Sequence, residues 1–291
     1  MDGGTAVTLF LNGLALGAIL FLLASGLTLI FGLLDFVNFA HGAFFMVGAY
    51  VFAAIAAEGG SIALAFAVAI AGGAAGGFVL ERVLLRRAYG NELHQFLLTL
   101  GLGLIITEIV RIIAGPNFQA VRELEFFGDN VSVLGGSVQE YRLFLIALGA
   151  AVFVGMLYVL RRTRIGLIVR AGVENPSMVE ALGTNVSRGF SIMFAVGTAL
   201  ALLAGAAAAP YYGGAGPALG EEQIVLAFVI AVVGGLGSYL GSALAAVSVG
   251  LLSSYAAFYW EPGASLVPVL LMALVLLLRP QGLIPQAGAR V

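Results

Sequence analysis

The sequence predicts an all-α polytopic membrane protein of about eight to ten transmembrane helices, some of them broken or re-entrant, arranged as an inverted repeat. Three observations carry that prediction. Of 291 residues, 61% are hydrophobic and only 10% are charged. Uncharged runs as long as a bilayer crossing, which needs about 20 apolar residues, recur from one end of the chain to the other. Finally, 41 glycines are spread through those runs, and in lipid small residues let helix backbones approach closely enough for packing to hold a bundle together.

The first run, Ala6 to Leu34, carries no charge over 29 residues. The acidic start "MDGGTAV" lacks the basic region of a cleavable signal, and the run exceeds a signal core, so it is expected to stay as a span. Further spans are expected at Phe36 to Ala57, Ile62 to Leu80, Phe96 to Ala114, Leu143 to Leu160 and Gly189 to Tyr212. Gln223 to Trp260 is 38 uncharged residues, enough for two crossings, and Gly263 to Leu278 supplies one more. The count is nine, with a broken helix able to move it by one. The whole chain, 1–291, reads as a single transmembrane domain, with an external connection at 115–141 and a cytoplasmic one at 161–188.

Arginine placement orients the bundle. Arg82, Arg86 and Arg87 share one connection, Arg161, Arg162, Arg164, Arg170 and Arg188 a second, and Arg279 and Arg290 close the chain. The alternate connections hold Arg111, Arg122 and Arg142, together with Glu123, Glu125, Asp129, Glu140, Glu221, Glu222 and Glu261. The arginine excess makes the first set cytoplasmic, which puts the N-terminus outside and the C-terminus inside. Within the fourth span, Glu108 and Arg111 stand at i and i+3 and should satisfy each other.

Two absences exclude function classes. There is no Cys, which removes disulfides, thiolate metal sites and iron–sulfur centres. All 13 basic residues are Arg, so neither a GxxxxGK[ST] phosphate loop nor a lysine Schiff base can form. ATP, if it drives this protein, is bound by another chain. With only His41 and His94, and no HExxH, a metalloenzyme is not expected.

Three stretches stand out. In "GLLDFVNFAHGAFFMVGAY", Gly32 to Tyr50, the residues Asp35, Asn38 and His41 interrupt apolar sequence. On a helix their spacing by three makes a slanted polar stripe facing protein or water; alternatively Asp35 and Asn38 cap a helix and His41 satisfies a carbonyl. In "VVGGLGSYLGSALAAVSVGLL", Val232 to Leu252, four glycines (Gly234, Gly235, Gly237 and Gly241) fall within eight residues, which fits either an interrupted helix or a tight turn between two spans. Each half of the chain thus carries a glycine-bearing interruption, the pointer to inverted repeats around a central path. On that reading Asn38, His41, Gly42, Gly234, Gly235, Gly237 and Ser238 line the substrate path. The third stretch, "RRTRIGLIVRAGVENPSMVEALGTNVSRG", holds a short capped helix: Asn175 is an N-cap, Pro176 the first helical residue, Glu180 lies early in the helix, and Gly183 is the terminating residue. Met178, Val179, Ala181 and Leu182 give it an apolar face suited to docking a partner.

"GLTLIFGLLDFVNFAHGAFFMVGAY", "RAGVENPSMVEALGTN", "GGLGSYLGSALAAVSVGLL" and "LLLRPQGL" together resemble, in order and at natural spacing, the permease subunits of branched-chain amino acid ABC importers, on the LivH side of the LivH and LivM pair. The resemblance implies a multi-pass protein of the bacterial inner membrane that pairs with a second, LivM-like permease subunit or with a copy of itself, together with two cytoplasmic ATPase subunits and a periplasmic substrate-binding protein. Cofactors would be none on this chain, with ATP and Mg on the ATPases, and no nucleic acid is involved. It also implies that the segment matching Arg170, Glu174, Asn175, Pro176, Met178, Ala181, Leu182 and Gly183 couples to the ATPase. Related permeases carry urea, short amides or other hydrophobic and aromatic amino acids. An ion-coupled secondary transporter is the rival reading and would need a coupling site among Asp35, His41 and Glu108.

Overall fold

The structure is a computed structural model that describes residues 2–34, 36–121, 128–174, 178–179 and 186–284. Its long helices are α1 (Gly3–Leu34), α3 (Ile62–Val83), α4 (Glu92–Ala114), α5 (Glu140–Arg162), α7 (Val186–Tyr212), α9 (Tyr239–Tyr259) and α10 (Glu261–Leu278). All seven contain a stretch long and apolar enough to cross a membrane. Two shorter helices, α2 (His41–Ala57) and α8 (Leu219–Gly234), complete the nine expected spans. At 17 and 16 residues they reach only about 25 Å at 1.5 Å per residue, short of a bilayer core of ~30 Å. A further helix, α6 (Arg164–Glu174), lies in the arginine-rich connection.

Helix starts follow local chemistry. Ser61 caps α3 by accepting from the Leu64 N–H at 3.2 Å, and Asn91 caps α4 by accepting from the His94 N–H at 3.0 Å. Glu108 and Arg111 form their expected pair at 2.9 Å, exposed on α4. Met178 and Val179 are helical as expected, with Val179 buried and Met178 exposed. The caps proposed at Asn175, Pro176 and Gly183, together with Glu180, Ala181, Leu182 and Asp35, lie outside the described residues. Arg170 and Glu174 are described as backbone of α6 only.

The two halves repeat. The series α1, α2, α3, α4 has 32, 17, 22 and 23 residues, and α7, α8, α9, α10 has 27, 16, 21 and 18. Each half is a long helix, a short stretch of non-helical chain, a short helix and two further crossings. Helix α7 is the sixth apolar helix, so the second half runs opposite to the first. Two antiparallel seams join the halves. In the α1–α9 seam an added Cβ at Gly13 would stand 2.8 Å from the Leu251 Cα, and one at Gly17 3.1 Å from the Val247 Cα. In the α3–α7 seam a Cβ at Gly73 would stand 2.7 Å from the Ala199 Cα, and one at Gly77 2.6 Å from the Thr198 Oγ1. Gly73 and Gly250 are both the twelfth residue of their helix, and both lie in a seam. Such close crossings need small residues because a side chain would hold the backbones apart.

Between α8 and α9 the chain turns tightly rather than bending one helix. Gly235 and Gly237 take φ of +104° and +78°, values that favour glycine, and the Ser238 Oγ caps α9 by accepting from the Gly241 N–H at 3.2 Å. The carbonyls of Val233 and Gly234 at the end of α8 accept from the N–H groups of Leu283 and Ile284 at 2.8 and 3.1 Å. The tail thus satisfies acceptors that a helix end leaves open. At the opposite end of the bundle, residues 130–139 form a hairpin, and Gln119–Ala120 pairs antiparallel with Gly214–Ala215.

Candidate functional site

Residues 36–40, which follow α1, are not helical, so the polar stripe expected from spacing by three does not form. The cause is local: the Asn38 Oδ1 accepts from the Ala40 N–H at 3.1 Å, a side-chain turn that offers the backbone an alternative to the helix. Asn38 therefore shapes the chain just before α2, while the N-cap position itself is Ala40, which makes no side-chain cap. The chain folds back along α1 so that His41, the first residue of α2, places its Nε2 2.9 Å from the Leu23 carbonyl, well inside α1. The carbonyl only accepts, so Nε2 carries the proton and Nδ1 presents a lone pair.

The imidazole lies where α1 and α7 cross. A Cβ at Gly26 would stand 2.5 Å from the Gly197 carbonyl oxygen and 2.9 Å from the His41 Cε1, while one at Gly197 would stand 2.8 Å from the Gly26 carbonyl oxygen. The missing side chain of Gly26 leaves the space beside the ring, and that of Gly197 lets α7 approach α1 there. Asn38 and His41 are fully buried. Their Nδ2 and Nδ1 are among the few buried side-chain polar atoms without a hydrogen-bond partner among the described residues. A buried polar group left unpaired in an apolar bundle is costly, which marks this pair as something other than packing.

The second half builds the same entrance. Ala218 precedes α8 with φ −76° and ψ −22°, close to the −71° and −7° of Ala40 before α2. The N–H of Leu219 donates to the Gly216 carbonyl at 3.2 Å, as His41 N–H donates to the Asn38 carbonyl at 3.1 Å. Gly42 and Gly220, each the second residue of its helix, face one another. A Cβ on Gly42 would run into the Gly220 carbonyl oxygen, and one on Gly220 would stand 2.9 Å from that of Gly42. Two short helices thus start beside each other in the middle of the protein, and both carry the partial positive charge of a helix N-terminus to that junction. Such paired half-helix ends suit a carboxylate.

The residues expected to line the path separate into two places. Asn38, His41 and Gly42 meet at the central junction, while Gly234, Gly235, Gly237 and Ser238 form the α8–α9 turn. A Cβ on Gly32, near the end of α1, would stand 3.1 Å from the Gly237 Cα, and one on Gly235 2.7 Å from the Ile284 carbonyl oxygen. The partners of Gly42 and His41 are Gly220, Gly26 and Gly197, none of which the sequence singles out. The signal was present as "FAHG" at 39–42 and "PALG" at 217–220, an Ala-x-Gly shared across the halves. No metal-binding cluster of three or more His, Cys, Asp or Glu occurs among the described residues.

Comparison with known proteins agrees with this architecture. A family model described as "Branched-chain amino acid transport system / permease component" matches residues 9–278. The chain is 30% identical over 287 residues to the high-affinity branched-chain amino acid transport system permease protein BraD of Pseudomonas aeruginosa, covering 94% of each. It is 30% identical over 294 residues to the permease protein LivH of the corresponding system in Escherichia coli K12, covering 94% of this chain and 93% of that one. A shorter match, 29% over 136 residues, joins 45% of the chain to 37% of the fructose import permease protein FrcC of Rhizobium meliloti. No solved structure matches the chain.

Proposed function

The chain belongs to the family of permease components of branched-chain amino acid transport systems, and we propose from that premise that it forms the inner-membrane path of an ATP-driven importer for branched-chain or similar hydrophobic amino acids. The observation that carries the proposal is the central junction, where two half-helix N-termini meet at Gly42 and Gly220, just after the buried Asn38 and His41, whose Nδ2 and Nδ1 have no partner among the described residues. An amino acid zwitterion offers the complements: its carboxylate suits the Asn38 amide donors and the helix ends, and its ammonium suits the His41 lone pair. The surrounding Leu, Phe and Ala side chains give the aliphatic part an apolar wall. An importer fed by a high-affinity binding protein gains nothing from tight binding here, since that slows release. The site serves passage.

In this proposal the arginine-rich end faces the cytoplasm, where segment 161–188 docks on ATPase subunits, and a second permease chain completes the pair. The opposite end receives the binding protein. There the strand Gln119–Ala120 pairs with Gly214–Ala215, directly before α8, so docking on the external connection reaches the chain that leads to the junction.

The test is uptake of leucine, isoleucine and valine by proteoliposomes that contain this chain with its partner subunits. Uptake is expected only with ATP inside and binding protein outside. Uptake by this chain alone, driven by an ion gradient without ATP, would overturn the reading in favour of a secondary transporter.

A further inference from the structure

At the arginine-rich end, outside the central junction, Glu81 is the one fully buried carboxylate among the described residues. It lies in the last turn-and-a-half of α3. Its Oε1 accepts from the Tyr89 hydroxyl at 2.7 Å, and its Oε2 accepts from the Ser191 Oγ at 2.5 Å. Burial, and then the carboxylate itself, push the Tyr89 phenol far above its ordinary pKa, so it stays protonated and donates. Phe190 closes the cluster with its ring edge-on to Tyr89 at 5.9 Å. Among the described residues no cation lies within ion-pair distance of Glu81; their one ion pair is Arg111–Glu108.

A buried carboxylate held by two hydroxyls, with no cation beside it among the described residues, is costly. The protein carries its own control in the other seam. Gly73 of α3 matches Gly250 of α9 by position, and the same register matches Glu81 to Phe258, which is exposed. The α1–α9 seam is closed by hydroxyls alone: Ser254 Oγ donates to the Leu9 carbonyl at 2.8 Å, Tyr255 OH donates to the Ala6 carbonyl at 3.2 Å, and Thr28 pairs with Ser242 at 2.6 Å. Only the seam whose far partner, α7, follows directly on segment 161–188 has a carboxylate.

That placement gives Glu81 a mechanical position. Ser191 stands in the second turn of α7, a few residues after the segment, and Gly197 stands less than two turns further on, against Gly26, which in turn faces the His41 ring. A helix transmits displacement over that distance as a rigid body. We propose that Glu81 is a positioning residue for transport. In the state described here it latches the start of α7 to α3 and to Tyr89. When segment 161–188 is displaced by the ATPase it releases Ser191, taking an arginine of the same end in exchange, so that movement of the segment reaches the central junction. The inference rests on the reading of that segment as the ATPase-coupling element.

The test uses the full reconstituted transporter and measures uptake and ATP hydrolysis on the same samples. Glu81→Gln keeps the shape and removes the charge. The variant is expected to assemble and to hydrolyse ATP with substrate-loaded binding protein, while substrate moved per ATP falls severalfold. Ser191→Ala, which removes one donor without uncovering a new charge, keeps the inference testable if Glu81→Gln fails to fold, and should lower the same ratio less. An unchanged ratio in the folded variants overturns the inference, as does a fall of uptake and hydrolysis in equal proportion. Deletion of 176–182 in parallel separates the two readings. Normal transport in the deletion sinks the coupling assignment itself, whereas loss of transport there with unchanged ratios at Glu81 and Ser191 sinks the latch alone.

Discussion

Gly26→Ala adds one methyl group at the close crossing of α1 and α7. Its Cβ would stand 2.5 Å from the Gly197 carbonyl oxygen and 2.9 Å from the His41 Cε1, so neither a main-chain atom of α7 nor the imidazole leaves room for it. Overpacking of this kind costs about 1–3 kcal/mol. If the ring swings away to relieve the clash, the bond to the Leu23 carbonyl is lost as well, at about 0.5–1.5 kcal/mol. The sum, about 1.5–4.5 kcal/mol, lowers the unfolding midpoint of the purified permease by roughly 3–18 °C, on the scaling of about 2–4 °C per kcal/mol for chains somewhat shorter than this one. Thermal unfolding in detergent, alongside uptake in proteoliposomes, provides the readout. The control is Gly155→Ala on α5, where an added Cβ meets nothing within 4 Å. There the change should be neutral, or stabilising by up to about 1 kcal/mol because alanine suits a helix better. Equal damage at Gly155 and Gly26, or none at Gly26, would refute the reasoning that the α1–α7 crossing is built on missing side chains.

His41→Ala and Asn38→Ala should each lower the maximal uptake rate severalfold and leave the half-saturating concentration, set by the binding protein, nearly unchanged. A large rise in half-saturation at unchanged maximal rate would make the junction a tight binding site instead. The purified chain alone should neither bind nor hydrolyse ATP, since it has no phosphate loop; stoichiometric hydrolysis by a preparation free of other chains would contradict the ABC assignment. Gly183→Val should abolish transport while the permease stays folded in the membrane, on the sequence expectation that Gly183 ends the docking helix, where the residue must tolerate positive φ. Normal substrate-stimulated hydrolysis with full uptake in that variant would refute it.

Much of the fold was legible because lipid imposes length and polarity on every span. All nine expected apolar segments became helices, and the starts shifted for local reasons. Asn91 pulls the beginning of α4 back to Glu92, and Glu140 opens α5 before the first strongly apolar residues. The central site was legible only in part. Spacing by three suggested a helical stripe, and the Asn38 side chain overrode it by bonding to the main chain two residues on. Glycine density was visible, but which glycines matter was not, because the partner face lies more than a hundred residues away. In "GGAAGG", Gly73 and Gly77 lie against α7 while a Cβ on Gly72 or Gly76 would meet nothing within 4 Å. Glu81 was hidden for the same reason, its partner Ser191 being 110 residues distant.

Helix α7 explains why an inverted repeat with matching lengths serves an asymmetric task. It follows directly on the arginine-rich connection 161–188. Along α7, Ser191 is tied to Glu81 near the start, Gly197 and Gly205 lie against α1 and α2 in the middle, and the strand Gly214–Ala215 just past its end is paired with Gln119–Ala120. A shift of this one helix therefore acts on both half-helices together. It moves the α1 crossing that holds His41, and it pulls on the chain that sets the start of α8. The repeat supplies two equivalent helix ends that meet at Gly42 and Gly220, and the differences between its halves supply the handle by which they are moved apart.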